Sequence, residues 1–442
     1  MPSGLAFVTL PKLSTAGGAL VETRTWYFWE KSLGGGSVSI DCSAVGVGVS
    51  NKDDFSAPVA EILATASKSR TKRAMGCPMN CFLTKPKGDW RTKRKRKRSF
   101  MKTGTALSAG AMLIGMGYGM ALAARRRRGR FKFDGRTVMI TGGSRGLGLV
   151  LARQLARQGA KVAILARDSD EIRRAEAQIV ANGAEVFGVK CDVRSQEEVN
   201  AAVSNIVTRF GGVDVLINNA AVIQVGPLDH MTPGDFEEAL AVHFYAPLHC
   251  TLAVLPHMRN AGHGRIVNIA SVGGKIAVPH LVPYCASKFA LVGLSEGLRT
   301  ELRRHNIFVT TVCPGLMRTG SPRNAHFKGQ HRKEYAWFAV SGSLPLLSVN
   351  AECAARRIVE ACRRGAPRLV IGWHTRGAIL INELFPGTAA NLMAIANRLL
   401  PSAARDGTKH LHKGSQSESW LTPRWLTQLS EKAALRNNQK LA

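Results

Sequence analysis

From Phe131 onward the chain alternates short β-branched runs with helical stretches, and few folds accept that pattern. TVMITGG, AKVAILAR, AEVFGVKCDV, VDVLINNA, GRIVNIAS, IFVTTVCPG and PRLVIG read as strands. LVLARQLARQG, DEIRRAEAQIVANG, SQEEVNAAVSNIVTRFG, FEEALAVHFYAPLHCTLAVLPHM, ALVGLSEGLRTELRRH and AECAARRIVEACRRG read as helices. Strands separated by helices must cross over and pair in parallel, with helices covering both faces of the sheet. The spacing therefore predicts an α/β fold, a doubly wound parallel sheet of Rossmann type over residues 131–375.

The first turn of that pattern is TGGSRGLG, Thr141 to Gly148, placed between a strand and a helix. Gly142, Gly146 and Gly148 let the backbone turn tightly and approach a pyrophosphate, which the helix amino end stabilises. Thr141, Ser144, Arg145 and Leu147 complete the loop, and the strand–turn–helix context makes it a dinucleotide site. Arg167 follows the second strand, where NAD-binding proteins place an acid for the ribose 2′-hydroxyl. An arginine there pairs with the 2′-phosphate of NADP, and Arg145 adds a second cation, so NADP (NADPH) is expected over NAD. The neighbouring Asp168 blurs this preference, and a solvated surface charge is the plainer reading of Arg167.

A second cluster lies in SVGGKIAVPHLVPYCASK. Tyr284 and Lys288 are four apart and share one helix face. Ser271 ends a predicted strand, the edge where doubly wound sheets bind ligands. A phenol is a poor base at neutral pH, but a nearby ammonium favours phenolate. Tyr284 can then exchange a proton with a carbonyl or alcohol oxygen that Ser271 holds, while hydride passes to or from a nicotinamide. Alone, a Tyr-x₃-Lys is common by chance.

Together TGGSRGLG, CDV, NNA, the serine thirteen residues before YCASK, and PGLMRT resemble the short-chain dehydrogenase/reductase family. The resemblance is strong over 133–320 and continues in outline to about 375. It implies a Ser271–Tyr284–Lys288 triad, with Lys288 also on the nicotinamide ribose. It implies adenine contacts from Asp192 and Val193, further cofactor contacts from Asn218 and Ala220, and carboxamide contacts from Pro314, Gly315, Met317 and Thr319. Homo-oligomers are common in such a family. One departure stands out: Val242-His243 replaces the family's V-N pair, whose asparagine orders a water in the proton relay. His243 is read as a catalytic relay residue of altered pH dependence, against the alternative that it only packs.

Residues 320–350 correspond to the family's variable lid. Tyr335, Trp337, Phe338 and Leu344 to Leu347 suggest an apolar pocket under a basic rim, hence a hydrophobic, lipid-like substrate. Oligomer or membrane contact is the competing reading of the same side chains. Residues 376–442 form a C-terminal extension that starts apolar and becomes a polar tail. Its LFPGTAANLMAIANRLL stretch reads as an amphipathic helix for a partner, a membrane surface or a lid, with packing on its own domain the commoner outcome.

Ahead of the domain the composition differs. Residues 1–132 hold 24 Lys/Arg against 7 Asp/Glu, over half of the chain's net charge of +31. That excess suits nucleic acid or an anionic membrane surface, but no Cys/His fingers or aromatic RNP-type strand accompanies it, which argues against nucleic acid. Nine cysteines are scattered; Cys77 and Cys81 lack a second pair, so no metal site is expected. Residues 1–100 read as a low-complexity basic segment unable to bury a core, or as an upstream extension if Met101 is the true start. Thr103 to Ala124 is uncharged for 22 residues and is followed by five arginines in six positions. As a helix it rises about 33 Å, enough for a hydrocarbon core. Residues 101–130 are therefore read as a single-pass membrane anchor that leaves the catalytic domain in the cytosol. A buried helix and a signal ending at Ala121-Leu122-Ala123 are the alternatives.

Overall fold

The central sheet is built from strands whose residues are apolar on both sides, because helices cover both faces. β1 (Thr137–Thr141) is buried along its whole length, and so is β4 (Val215–Asn218). Within β1, Val138 and Ile140 join one core with α1 (Gly146–Ala156) and α2 (Ser169–Val180). Met139 points the other way, into a second core that includes Leu165, Leu216, Val254 and Ile266. That two-residue period divides one strand between two hydrophobic layers. The structure is a computed structural model. It describes residues 131–439 except Asn182, Leu346, Leu347 and 404–409, together with Met116 ahead of the domain.

The remaining strands are β2 (Lys161–Ala166), β3 (Val186–Lys190), β5 (Gly264–Ile269), β6 (Ile307–Pro314) and β7 (Arg368–Ile371). The sheet runs β7-β6-β5-β4-β1-β2-β3, every pairing parallel. The expected doubly wound sheet is thus observed. Its strand order reverses between β1 and β4, so their carboxyl ends open a crevice, the place where such sheets bind ligands.

The helices are α3 (Gln196–Phe210), α4 (Pro233–Asn260) and α5 (Val282–Leu302). After them come α6 (His331–Ser343), α7 (Ala351–Arg364), α8 (Trp373–Leu384), α9 (Pro386–Arg398) and α10 (Arg424–Arg436). Among the described residues α4 alone is long and apolar enough to cross a membrane, with mean hydropathy 1.4, yet half of it is buried inside the fold. Its apolarity is explained by packing, since Cys250, Val254, Leu255 and Met258 belong to the second core. α4 also carries a π-helical turn at Ala241–Tyr245, a widening that shifts one side chain relative to an unbroken helix. The expected anchor, Thr103 to Ala124, lies outside the described residues apart from Met116.

α9 leaves Leu392, Ile395 and Leu399 exposed rather than packing them on the domain. The tail is not merely polar: it forms α10 and returns to the first βα turn.

Candidate active site

Two loops meet at the crevice between β1 and β4. The Thr141 hydroxyl accepts the Asn219 and Ala220 N–H groups at 2.9 and 3.1 Å. Asn219 Nδ2 donates in return to the carbonyls of Thr141 (3.0 Å) and Gly142 (3.1 Å). The NNA and TGGSRGLG segments are therefore stitched together by Asn219, a residue overlooked between Asn218 and Ala220 although the Asn-Asn pair was visible. Asn218 is turned inward, donating to Asn268 at 2.8 Å. Gly148 must be glycine: a Cβ there would sit 2.1 Å from the Gly142 carbonyl oxygen. The loop is a cradle that a side chain would fill, which fits the close approach of a pyrophosphate.

Around the start of α2, several charges read from sequence have partners within the protein. Arg145 is paired with Glu171 at 2.7 Å, and Ser144 donates to the same carboxylate at 3.0 Å. Arg145, read as a second cation for the cofactor, thus has a carboxylate partner within the protein. The Asp168 carboxylate accepts the Asp170 and Glu171 N–H groups at 2.9 Å as the cap of α2, and the Glu171 contact is the main cause of its lowered pKa. Arg167 is exposed beside it. Asp192 is held below the carboxylate range chiefly by its hydrogen bond from Arg194, and Val193 beside it is buried.

Ser271, Tyr284 and Lys288 converge at the end of β5. The Ser271 hydroxyl oxygen accepts the Gly273 N–H at 3.0 Å. Lys288 is 2% exposed, donates to the Ile269 carbonyl at 2.9 Å, and places Nζ 5.8 Å from the Tyr284 ring centre. Burial pushes the half-buried Tyr284 phenol up to about 12, opposed by its hydrogen bond with Ser271. Burial also drives Lys288 down to about 7. Within the protein alone, desolvation therefore outweighs the ammonium effect anticipated from sequence, and the phenol is protonated at neutral pH. Pro314 and Gly315 close the nearby end of β6, Met317 is half-buried just beyond it, and Thr319 is buried with its hydroxyl 2.5 Å from that of Ser321.

His243 stands on the π turn, wholly buried, with its ring edge-on to Tyr284 at 5.3 Å between centres. The Val222 N–H donates to its Nε2 at 3.2 Å, so Nδ1 carries the proton and donates to the Ser287 hydroxyl at 2.7 Å. Ser287 donates onward to the Tyr284 carbonyl at 2.9 Å. Both ring nitrogens are thus taken by protein groups. Burial, and then the Lys288 charge, hold the imidazole well below its ordinary pKa. The geometry suits a neutral positioning group rather than the titrating relay expected.

Two of the lid residues read as lining an apolar pocket, Tyr335 and Phe338, are buried. Tyr335 and Phe338 pack edge-on around Phe327, at 5.4 and 6.0 Å, in a small core of their own. Ile223, Val278, Trp337 and Tyr284 border that core, half-buried. Glu334, wholly buried, accepts the Trp337 indole N–H at 2.7 Å and lies 2.9 Å from His280 Nδ1, fastening lid to catalytic loop. Leu344 is exposed, and Leu346 and Leu347 lie outside the described residues.

A parallel sheet with a glycine cradle at its switch point and a Ser–Tyr–Lys cluster beside it defines a dinucleotide-dependent oxidoreductase. A family model described as short chain dehydrogenase matches residues 136–328. The oxidoreductase SadH of Mycobacterium tuberculosis is 35% identical, covering 59% of this chain and 95% of that protein. A ketoacyl reductase of Streptomyces coelicolor is 38% identical over 42% of this chain and 72% of its own. A solved gluconate 5-dehydrogenase from Burkholderia cenocepacia, in complex with NADP and tartrate, is 29% identical with a TM-score of 0.50, covering 56% of this chain and 98% of that one. The chain belongs to the short-chain dehydrogenase family and is an NAD(P)-dependent oxidoreductase acting on CH–OH groups.

Proposed function

We propose that the chain interconverts a hydrophobic ketone or aldehyde and its alcohol with NADP(H). The observation that carries this reading is the meeting of Ser271, Tyr284 and Lys288 at the sheet edge beside the glycine cradle. A bound nicotinamide dinucleotide supplies or accepts the hydride. Ser271 holds the reacting oxygen, and the neutral Tyr284 phenol donates its proton there during reduction. Lys288, at hydrogen-bond distance from a backbone carbonyl, is fixed where it eases loss of that proton. Thr141–Gly148, Asp192, Val193, Asn218, Ala220 and Pro314–Thr319 form the cofactor bed.

The NADP preference is supported by how the two charges after β2 are used. Asp168 spends its carboxylate on the α2 cap, whereas Arg167 is exposed and available to a 2′-phosphate. Such a charge-assisted contact is worth roughly 1.5–3 kcal/mol, a factor of roughly 10–150 in affinity. Arg167→Ala is expected to weaken NADPH by that factor and leave NADH little changed, as titrated by fluorescence. An unchanged NADPH affinity would remove the NADP assignment. The half-buried Ile223, Val278 and Trp337 beside Tyr284 support an apolar substrate. NADPH oxidation across steroid, retinoid, sphingoid and sugar carbonyls tests it, and turnover of the polar compounds alone overturns it.

A single-pass anchor at Thr103 to Ala124, with the domain on the cytosolic side, is proposed from the sequence. Full-length protein is expected to stay with membranes on carbonate extraction; its release overturns the anchor.

A further inference from the structure

Residues Asn437–Gln439 lie on the loop between β1 and α1. α10 packs against the lid helix α6, where the Ser430 and Ser343 hydroxyls meet at 2.8 Å. Beyond it the backbone crosses to α1, and Arg153 reaches the Arg436 carbonyl at 3.3 Å and the Asn437 side chain. The Asn437 carbonyl then accepts the N–H of Gly146 at 2.9 Å. Asn438 Nδ2 donates to the Ser144 carbonyl at 2.9 Å and the Glu171 carbonyl at 3.1 Å, while its Oδ1 accepts from Arg174 at 2.9 Å. Gln439 lies between the first loop and the segment just past Thr319: its side chain is 3.1 Å from a Cβ position on Gly146 and 2.7 Å from one on Gly320. Asn437 and Asn438 are 3% and 8% exposed, so this is a packed contact.

Its chemistry is that of a ligand mimic. The amino end of a helix offers free N–H groups to anions, and here the first of α1 is given to a peptide carbonyl. Asn438 adopts a left-handed backbone at φ 57°, a conformation asparagine tolerates better than most residues. Ser144, Arg145 and Gly146 are also the residues assigned above to the dinucleotide.

We propose that Asn437–Gln439 is an intramolecular competitor for NADP(H), seated on the loop the cofactor needs and displaced when the cofactor loads. The proposal goes beyond the oxidoreductase reading but rests on that reading's use of Thr141–Gly148 as the pyrophosphate loop. A phosphate is a stronger acceptor than a neutral carbonyl, so the tail yields to cofactor while lowering its apparent affinity by the fraction of molecules held shut.

The test compares the full chain, a form ending at Arg436, and the full chain with Asn438→Ala. The dissociation constant for NADPH is expected to fall roughly tenfold in the truncated form and by a smaller factor in Asn438→Ala, the scale set by a few backbone and amide hydrogen bonds. In the full chain, saturating NADPH is expected to raise hydrogen–deuterium exchange across 424–439. An equal or weaker affinity in the truncated form overturns the competitor, and so does protection of the tail by NADPH. If none of the three forms binds NADPH, the loop assignment itself falls, and the competitor with it.

Discussion

Tyr284→Phe is expected to reduce carbonyl turnover by roughly 10²–10⁴-fold, the usual worth of a positioned general acid, with the NADPH dissociation constant unchanged. The substitution removes one hydroxyl and leaves the ring that His243 and the lid core pack against. A fold defect therefore cannot imitate the effect, provided that cofactor affinity and thermal midpoint are measured on the same sample. The phenol, pushed up to about 12 by burial, is the protonated partner at neutral pH, and burial draws Lys288 down to about 7. His243→Asn is the useful control. Because His243 is neutral and positions through Val222 and Ser287, the variant is expected to retain an unshifted pH profile. A profile that loses an inflection in His243→Asn would restore the titrating relay. Full activity in Tyr284→Phe would remove Tyr284 from catalysis.

Gly148→Ala should be strongly damaging for a change of a single methyl group. The new Cβ would lie 2.1 Å from the Gly142 oxygen and 2.7 Å from Asn219 Nδ2, both parts of the stitched crevice. Neither can retreat without breaking the hydrogen bonds that join the two loops. Overpacking of this kind costs roughly 1–3 kcal/mol, a fall in thermal midpoint of several degrees. NADPH affinity should drop by more than about tenfold, since the cradle is displaced along with α1. Gly293→Ala in the middle of α5 meets nothing within 4 Å and is expected to be neutral or slightly stabilising. Equal thermal midpoints and NADPH affinities for the two variants would show that the close approach at Gly148 is unimportant.

The alternation of strands and helices, the glycine turn and the Ser271–Tyr284–Lys288 spacing were legible because each is local. A strand period, a helix period and a four-residue separation on one helix face are properties of consecutive residues. The seven strands and the sheet they form follow that reading. Ser287 was also within reach, lying inside YCASK between two residues already singled out.

What remained hidden joins residues far apart along the chain. Arg145 was read as a cation with no sign of its Glu171 partner at 2.7 Å, and Tyr335 and Phe338 as pocket lining with no sign of Phe327 between them. His243 carried two opposite readings that only its ring partners, Val222 and Ser287, distinguish. A polar tail gave no sign that Asn437 would reach Gly146, 291 positions earlier in the numbering. The sequence by itself determined the doubly wound sheet, the cradle and the triad spacing, because local periodicity and glycine stereochemistry act along the backbone. Tertiary structure decided which charges are spent, which nitrogen holds the proton and what lies over the phosphate loop, because burial and hydrogen bonding depend on distance in space.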